Sequence, residues 1–376
     1  MKKIAIINQD SGYLMIDLAN AFVERGFDVL LITGRLATRS TPLNEKVQLY
    51  RIKEYNRETT LSRLWSWLRA FIQIWWIIAS KHRNAHLWIV SNPPLNSFLP
   101  FSLPNNYSFW IFDIYPDILW NEGFIKKNNP LSKLWILANK VVFRKAKHVF
   151  TLTQEMKDVL SFYTSANKIN ILPIWTDNVV LKPIPKSENP FIEKHGLKDK
   201  FIVLYSGNLG LSHHLEVIPQ IASLIHNPDI LFLIIGHGKA WNVLESMIKD
   251  KNLVNCLMLP RVPSEELPFS LASADLALVS TGSGAANLSI PSKTFNYMSV
   301  GAPLLSLSPK NSALSNLVTN HKIGKNFNHD DLTGIAGFIE KMYLKEADYL
   351  EYSTNSLQLS YSFSFNSQFI EKYGYV

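Results

Sequence analysis

The chain has 376 residues, 47% of them apolar, and at about 100–200 residues per domain this is length enough for two cores. Its one cysteine, Cys256, excludes a disulfide framework and any zinc site built from paired cysteines. The formal charge of +8 is uneven: residues 1–176 carry 22 Lys+Arg against 12 Asp+Glu, a net +10, and the remainder 16 against 18, a net −2.

Nine of the ten tryptophans also fall in the first 176 residues. A basic, Trp-rich half fits an anionic and partly apolar partner, of which a membrane surface is the first candidate. Nucleic acid is not expected as a partner, because there is no helix-turn-helix spacing, zinc module or aromatic RNA-binding signature, and the basic residues are scattered.

The opening MKKIAIINQD has a four-residue apolar run, too short for a signal peptide, and predicts a strand from Ile4 to Ile7 in a protein that stays in the cytoplasm. Asp10, Ser11 and Gly12 follow it, where a glycine-containing loop meets a ligand in an open α/β sheet. Further strands are expected at Asp28 to Ile32, Leu87 to Val90, Ser108 to Phe112, His148 to Leu152 and Ile169 to Leu172, with helices between them, the pattern of a parallel sheet covered on both faces.

Between the second and third of these strands, Leu61 to Ser80 projects as a helix with Leu61, Trp65, Leu68 and Ile72 on a wide apolar face and Ser62, Ser66, Arg69 and Gln73 opposite. Arg69 near its middle would cost about 2.5–3.5 kcal/mol in a membrane span. Two alternatives stay open: a helix lying in the membrane interface, or a core helix of the first domain. The loop SNPPLNSFLPFSLP offers apolar residues to an acceptor's tail.

FDIYPDILW places Asp113 at a strand's carboxyl end, where a carboxylate can orient or deprotonate a hydroxyl; a helix cap or a salt bridge is the equal alternative. Asp113 and Asp117, four apart with Pro116 between, make no octahedral site, nor does the HDD at His329 to Asp331, so no metal is expected.

The Pro-rich WTDNVVLKPIPKSEN reads as a linker. A second alternating series follows. YSGNLG runs from a strand into Gly207 and Gly210, and IIGHGKA carries Gly236 and Gly238 without the third glycine that a dinucleotide fingerprint needs, which excludes a dehydrogenase. In SIPSKTFNYMSVGAPLLSLSP, Pro291 and Ser292 predict a helix start with Lys293 in its first turn, a place for an anion.

The order and spacing of YSGNLG, IIGHGKAWNVLE, MLPRVPSEELPFSLASADLALVS and IPSKTFNYMSVGAPLL resemble family-four glycosyltransferases of the GT-B fold, of the kind found in bacterial O-antigen and capsule polysaccharide assembly. The first half resembles them more loosely, through FDIYPDILWNEGF and FTLTQEMKDVL. The resemblance implies two doubly wound, Rossmann-like domains facing a central cleft: residues 1–178 for the acceptor, joined by a C-terminal tail 358–376 whose helix crosses back, and 190–357 for the nucleotide-sugar donor.

It further implies a retaining hexosyl or N-acetylhexosaminyl transfer from a nucleoside-diphosphate donor, UDP-linked, to a lipid-linked saccharide. The enzyme would be peripheral on the inner face of the cell membrane and independent of metal and cofactor, the nucleotide-sugar being a substrate. The implied donor residues are Gly207, Asn208, Gly210, His213, Gly236, Gly238, Arg261, Val262, Ser292, Lys293 and Asn296, with Asp10, Ser11, Gly12 and Asp113 on the acceptor side and Asp113 and Lys293 in catalysis. Asn208 and His213 stand where relatives carry Arg and Lys, Asn296 and Leu288 where many carry a glutamate pair, and Phe112 where a His is common. A non-catalytic subunit and a nucleotide-sugar epimerase on the same fold remain as alternatives.

Overall fold

The computed structural model describes residues 2–56, 59–121, 123, 125–345 and 347–375. The chain divides into two compact units, one of Met1–Ile174, Asn287–Ser289 and Phe365–Val376, the other of Trp175–Ala286 and Ile290–Ser364. The Pro-rich stretch 175–189 therefore counts with the second unit, and its Leu181 is fully buried.

The first unit is built on seven strands, β1 Lys3–Ile7, β2 Asp28–Thr33, β3 Gln48–Arg51, β4 His86–Val90, β5 Tyr107–Ile111, β6 Val149–Thr151 and β7 Ile169–Ile171. All pair in parallel, in the order β3-β2-β1-β4-β5-β6-β7. Each expected strand is present within a residue or so. The sequence reading passed over β3, because QLYR on a sheet edge buries little and lacks an apolar run.

Helix α1, Tyr13–Glu24, connects β1 to β2, α2, Thr60–Lys81, connects β3 to β4, and α3, Pro130–Lys145, lies between β5 and β6. Since crossovers between parallel strands are right-handed, the connection running one way along the sheet lies on one face and those running the other way on the opposite face. Accordingly α2 and α3 share a face, and both pack against the 3-10 stretch Pro94–Phe101 that follows β4.

Helix α2 starts in a capping box between Thr59 and Ser62, and α3 starts on the Asn129 side chain with Pro130 in its first turn. The opposite face of the sheet, under α1, is filled by aromatics, with Trp88 and Phe150 stacked at 5.0 Å, Tyr375 against Trp88 at 5.5 Å and Phe22 of α1 against both Trp88 and Tyr375.

The second unit has six strands, β8 Phe201–Asn208, β9 Ile230–His237, β10 Cys256–Leu259, β11 Leu276–Ser280, β12 Leu304–Leu307 and β13 Gly324–Phe327. They are parallel in the order β10-β9-β8-β11-β12-β13, so the winding reverses between β8 and β11. At such a reversal the loops leaving the strands' carboxyl ends diverge and leave a crevice for a ligand. Helix α4, Trp241–Asp250, follows β9, α5, Lys293–Ser299, lies between β11 and β12, and α6, Ala347–Ser362, closes the unit.

Two details are added by the structure. The apolar face drawn for Leu61 to Ser80 points outward: Leu61, Trp65, Leu68 and Ile72 are exposed, whereas Ser66, Ala70, Ile74 and Ile78 are buried. At Ser66 the helix meets the loop after β1, where the Gln9 side-chain amide donates to Ser66 O at 3.1 Å, and the Ser66 hydroxyl is satisfied by donating to Arg63 O. The C-terminal tail joins the first unit from residue 365 rather than 358. Helix α6 ends at Ser362 inside the second unit, and residues 365–376 belong to the first, where Phe369, Ile370 and Tyr375 are buried.

Candidate functional site

The second unit's reversal point gathers the residues of interest. Strands β8 and β9 run in register to their ends, Gly207 beside Gly236 and Asn208 beside His237. The backbones are so close that a Cβ on Gly236 would lie 2.0 Å from Gly207 O, and one on Gly238 2.4 Å from Leu209 O. Only glycine permits this approach. Gly207 has φ +146°, and a Cβ there would meet the Lys293 amine at 2.9 Å. Gly210 is hemmed in by the side chains of Asn208 and His213. Thus Gly207, Asn208, Gly210, His213, Gly236 and Lys293 form one cluster.

Lys293 is not the solvated lysine that its type predicts. Its ammonium is sealed from water, has no hydrogen-bond partner, and stands 3.6 Å from the centre of the Tyr205 ring. Burial pushes its pKa down to about 7. Burial, followed by the nearby Lys293 charge, also takes His213 down to about 4, so its imidazole is neutral near pH 7. Three further polar atoms are buried without a partner, Asn296 Oδ1, Thr281 Oγ1 and Thr294 Oγ1. Native interiors rarely leave such groups unpaired, and an ammonium together with several acceptors and hydroxyls is the set that a polar anionic ligand would satisfy.

The helix start differs from expectation. Ser292 is exposed and its side chain caps nothing, and α5 is seven residues long. The Thr294 and Phe295 amides donate to Pro291 O and Ser292 O, so they are spent on the turn rather than held out to an anion. The positive character of this place therefore comes from the Lys293 side chain, with little from a helix dipole. Arg261, exposed, and Val262, half-buried, lie on the loop leaving edge strand β10, two strands from β8.

In the first unit, Asp10 is held by the Arg35 guanidinium at 2.7 and 3.2 Å, Ser11 donates to Asn8 O, and Gly12 leads into α1. These three shape the loop after β1. Asp113 follows β5, its backbone N–H and that of Phe112 donating to Ser91 Oγ. Burial raises its carboxyl to about 6, close enough to neutrality for proton exchange near pH 7. Asp117 instead accepts the Tyr163 hydroxyl at 2.6 Å, and Asp331 caps the following helix through Gly334 N. Both carboxylates are engaged in structure.

Sequence reasoning missed Tyr205, Thr281 and the Ser280–His329 pair, whose Oγ and Nε2 are 2.8 Å apart. Tyr205 had a signal: two residues before Gly207 on one strand, it projects from the same face. The others had none, since Ser280 and His329 are 49 residues apart in the chain and Thr281 Oγ1 is buried without a partner.

Residues 187–356 match the family described as glycosyl transferases group 1. Over 330 residues, 85% of this chain and 82% of the relative, the chain is 22% identical to "Probable glycosyltransferase WbjE" of Pseudomonas aeruginosa. Over 157 residues, 41% of this chain and 39% of the relative, it is 28% identical to WcaI of Escherichia coli (strain K12), which carries the name of a colanic acid biosynthesis glycosyl transferase. Among solved structures it is similar to HepE of Anabaena, solved with UDP and glucose, with a TM-score of 0.74 at 14% identity and all of both chains covered.

Proposed function

From a chain with the GT-B fold whose residues 187–356 match the glycosyl transferases group 1 family, we propose that it is a retaining transferase that moves a sugar from a UDP-linked donor to a lipid-linked saccharide in cell-surface polysaccharide synthesis. The observation that carries this reading is the sealed Lys293 ammonium on the Tyr205 ring beside Gly207. It stands at the sheet's reversal point, in a unit that also buries Asn296 Oδ1, Thr281 Oγ1 and Thr294 Oγ1 without partners. The UDP in HepE and the polysaccharide setting in the name of WcaI support the choice of donor and pathway class.

In this reading the donor diphosphate sits at the carboxyl ends of β8 and β9, where Gly207 admits the Lys293 amine and Gly236 lets the two strand ends close together. As the sugar's anomeric carbon–oxygen bond breaks, its electrons pass to the phosphate oxygen, and Lys293 balances the charge that grows there. The acceptor hydroxyl bonds to the same face of the carbon and gives up its proton. The leaving phosphate takes that proton in the first instance. On the acceptor side, Asp113 is proposed to orient a hydroxyl. Asn296 Oδ1 would accept from a donor hydroxyl. Neutralisation is assigned to Lys293 rather than to a metal, so full activity in a chelator is expected.

The test is a thermal-shift screen of nucleotide-sugars. A UDP-sugar at about 100 times its Kd should stabilise the protein by roughly 2.7 kcal/mol, and Lys293→Ala should abolish most of that shift. An unchanged shift in the variant, or none for any nucleotide-sugar in the native chain, would remove the basis of the proposal.

A further inference from the structure

Among the described residues 22 large apolar side chains stand exposed, and eleven of them lie in α2, the Pro94–Phe101 stretch and α3, elements of 22, 8 and 16 residues. On α2, Leu61, Trp65, Leu68, Ile72 and Trp76 recur at steps of four and three, a stripe opposite the buried Ser66, Ala70, Ile74 and Ile78. On α3, Leu131, Leu134, Leu137 and Val141 form a second stripe, on the side away from the buried Asn139 and Phe143. Between the helices the 3-10 stretch exposes Phe101. The concentration of apolar side chains on one face of one unit is far beyond the scattered exposure that needs no explanation.

The charge on the same elements has one sign. Helix α2 contributes three Lys or Arg and α3 four, and no Asp or Glu occurs in either helix or in the stretch between them. Arg69 lies 5.0 Å over the Trp65 ring, which sets a cation within the apolar stripe itself. A second copy of this chain would bring like charge to like charge on such a face and offer no carboxylate in return. An anionic bilayer supplies both complements, hydrocarbon for the leucines and tryptophans and phosphate for the cations. No helix among the described residues is long and apolar enough to cross a membrane, which leaves lying on the surface as the mode of contact.

We propose that the face formed by α2, Pro94–Phe101 and α3 docks the first unit on an anionic lipid bilayer, with Trp65 and Trp76 at headgroup level. This deepens the proposed function by naming the surface that would carry the enzyme to a lipid-held acceptor. It is tested without donor or acceptor, so its failure leaves the donor-binding result untouched.

The test is co-sedimentation of the full chain with vesicles of phosphatidylcholine containing about 30% phosphatidylglycerol, against vesicles of phosphatidylcholine alone. The native chain should bind the anionic vesicles at least about tenfold more tightly and lose that preference as salt is raised. The double variant Leu68→Glu with Leu134→Glu should reduce vesicle binding by about tenfold or more, with its melting temperature kept because both side chains are exposed. Arg69→Ala, Lys133→Ala and Arg144→Ala together should cut binding to anionic vesicles by roughly fivefold per charge and leave binding to neutral ones unchanged. Equal binding to both kinds of vesicle, or variants that sediment like the native chain, would overturn the proposal. So would self-association that the Leu68→Glu and Leu134→Glu pair abolishes in the absence of vesicle binding, an outcome that assigns the face to a second copy.

Discussion

The Lys293 ammonium rests 3.6 Å from the centre of the Tyr205 ring with no hydrogen-bond acceptor. A desolvated cation on an aromatic face gains about 2 kcal/mol, whereas burying a lone ion costs several. The site is thus short of negative charge. Tyr205→Phe keeps the ring and loses only the hydroxyl bond to Asn208 O at 2.8 Å, so binding of a UDP-sugar should stay within about threefold of native. Tyr205→Leu removes the ring face, and affinity measured by calorimetry should fall about tenfold or more.

The depressed lysine fixes the sign of a pH effect. An unfolded lysine titrates at 10.5 and Lys293 at about 7, so between these values the unfolded chain holds the extra proton and stability rises with pH. Binding runs the other way. A diphosphate favours the charged amine, so affinity for a UDP-sugar should weaken above pH 7, by up to about tenfold per unit, with proton uptake on binding. Calorimetry in two buffers of different ionisation enthalpy measures that uptake, and Lys293→Met should abolish both the uptake and the rise in stability.

Much of this was legible because parallel strands buried on both faces announce themselves as short aliphatic runs: KIAII, DVLLIT and ILFLIIGH all mark strands. The glycines after β8 and β9 were legible too, since strand ends are where backbones approach a ligand. Strand β3 was hidden by its exposed, polar character. The direction of α2 was hidden because both of its faces are apolar, and periodicity alone cannot say which one the sheet takes. What no pattern could supply was the partner of Lys293, since ring and cation come from a strand and a helix 88 residues apart. The idea of amides held out by α5 failed for a local reason, the use of those amides in its opening turn.

Gly236 and Gly337 predict opposite outcomes for the same substitution. Gly236→Ala would set a methyl group 2.0 Å from Gly207 O, and since the obstacle is backbone in a paired strand, relief requires β8 and β9 to part. A loss of about 3 kcal/mol or more is expected, with donor binding lost alongside. Gly337, exposed in the helix Leu332–Tyr343, has nothing within 4 Å of a Cβ, so Gly337→Ala should stabilise by about 0.8 kcal/mol through helix propensity and leave binding alone. Denaturant unfolding of the two variants measures the contrast.

Asp113 offers a prediction in which stability and activity move apart. Burial raises its carboxyl to about 6 from the ordinary 3.8, so between these values the folded chain binds more protons than the unfolded chain, and stability falls as pH rises through that window. At pH 7.5 the full cost of an ionised, desolvated carboxylate is in place. Asp113→Asn removes the charge while keeping the shape, so it should raise the melting temperature by about 2 °C or more at pH 7.5 and have no effect near pH 4. If the carboxylate orients the acceptor hydroxyl, the same variant should lower kcat by about 100-fold with the UDP-sugar thermal shift unchanged, because donor binding is assigned to Lys293 in the other unit. A variant that is stabilised and fully active would make Asp113 a structural acid, and one that loses donor binding as well would undo the division of labour between the units.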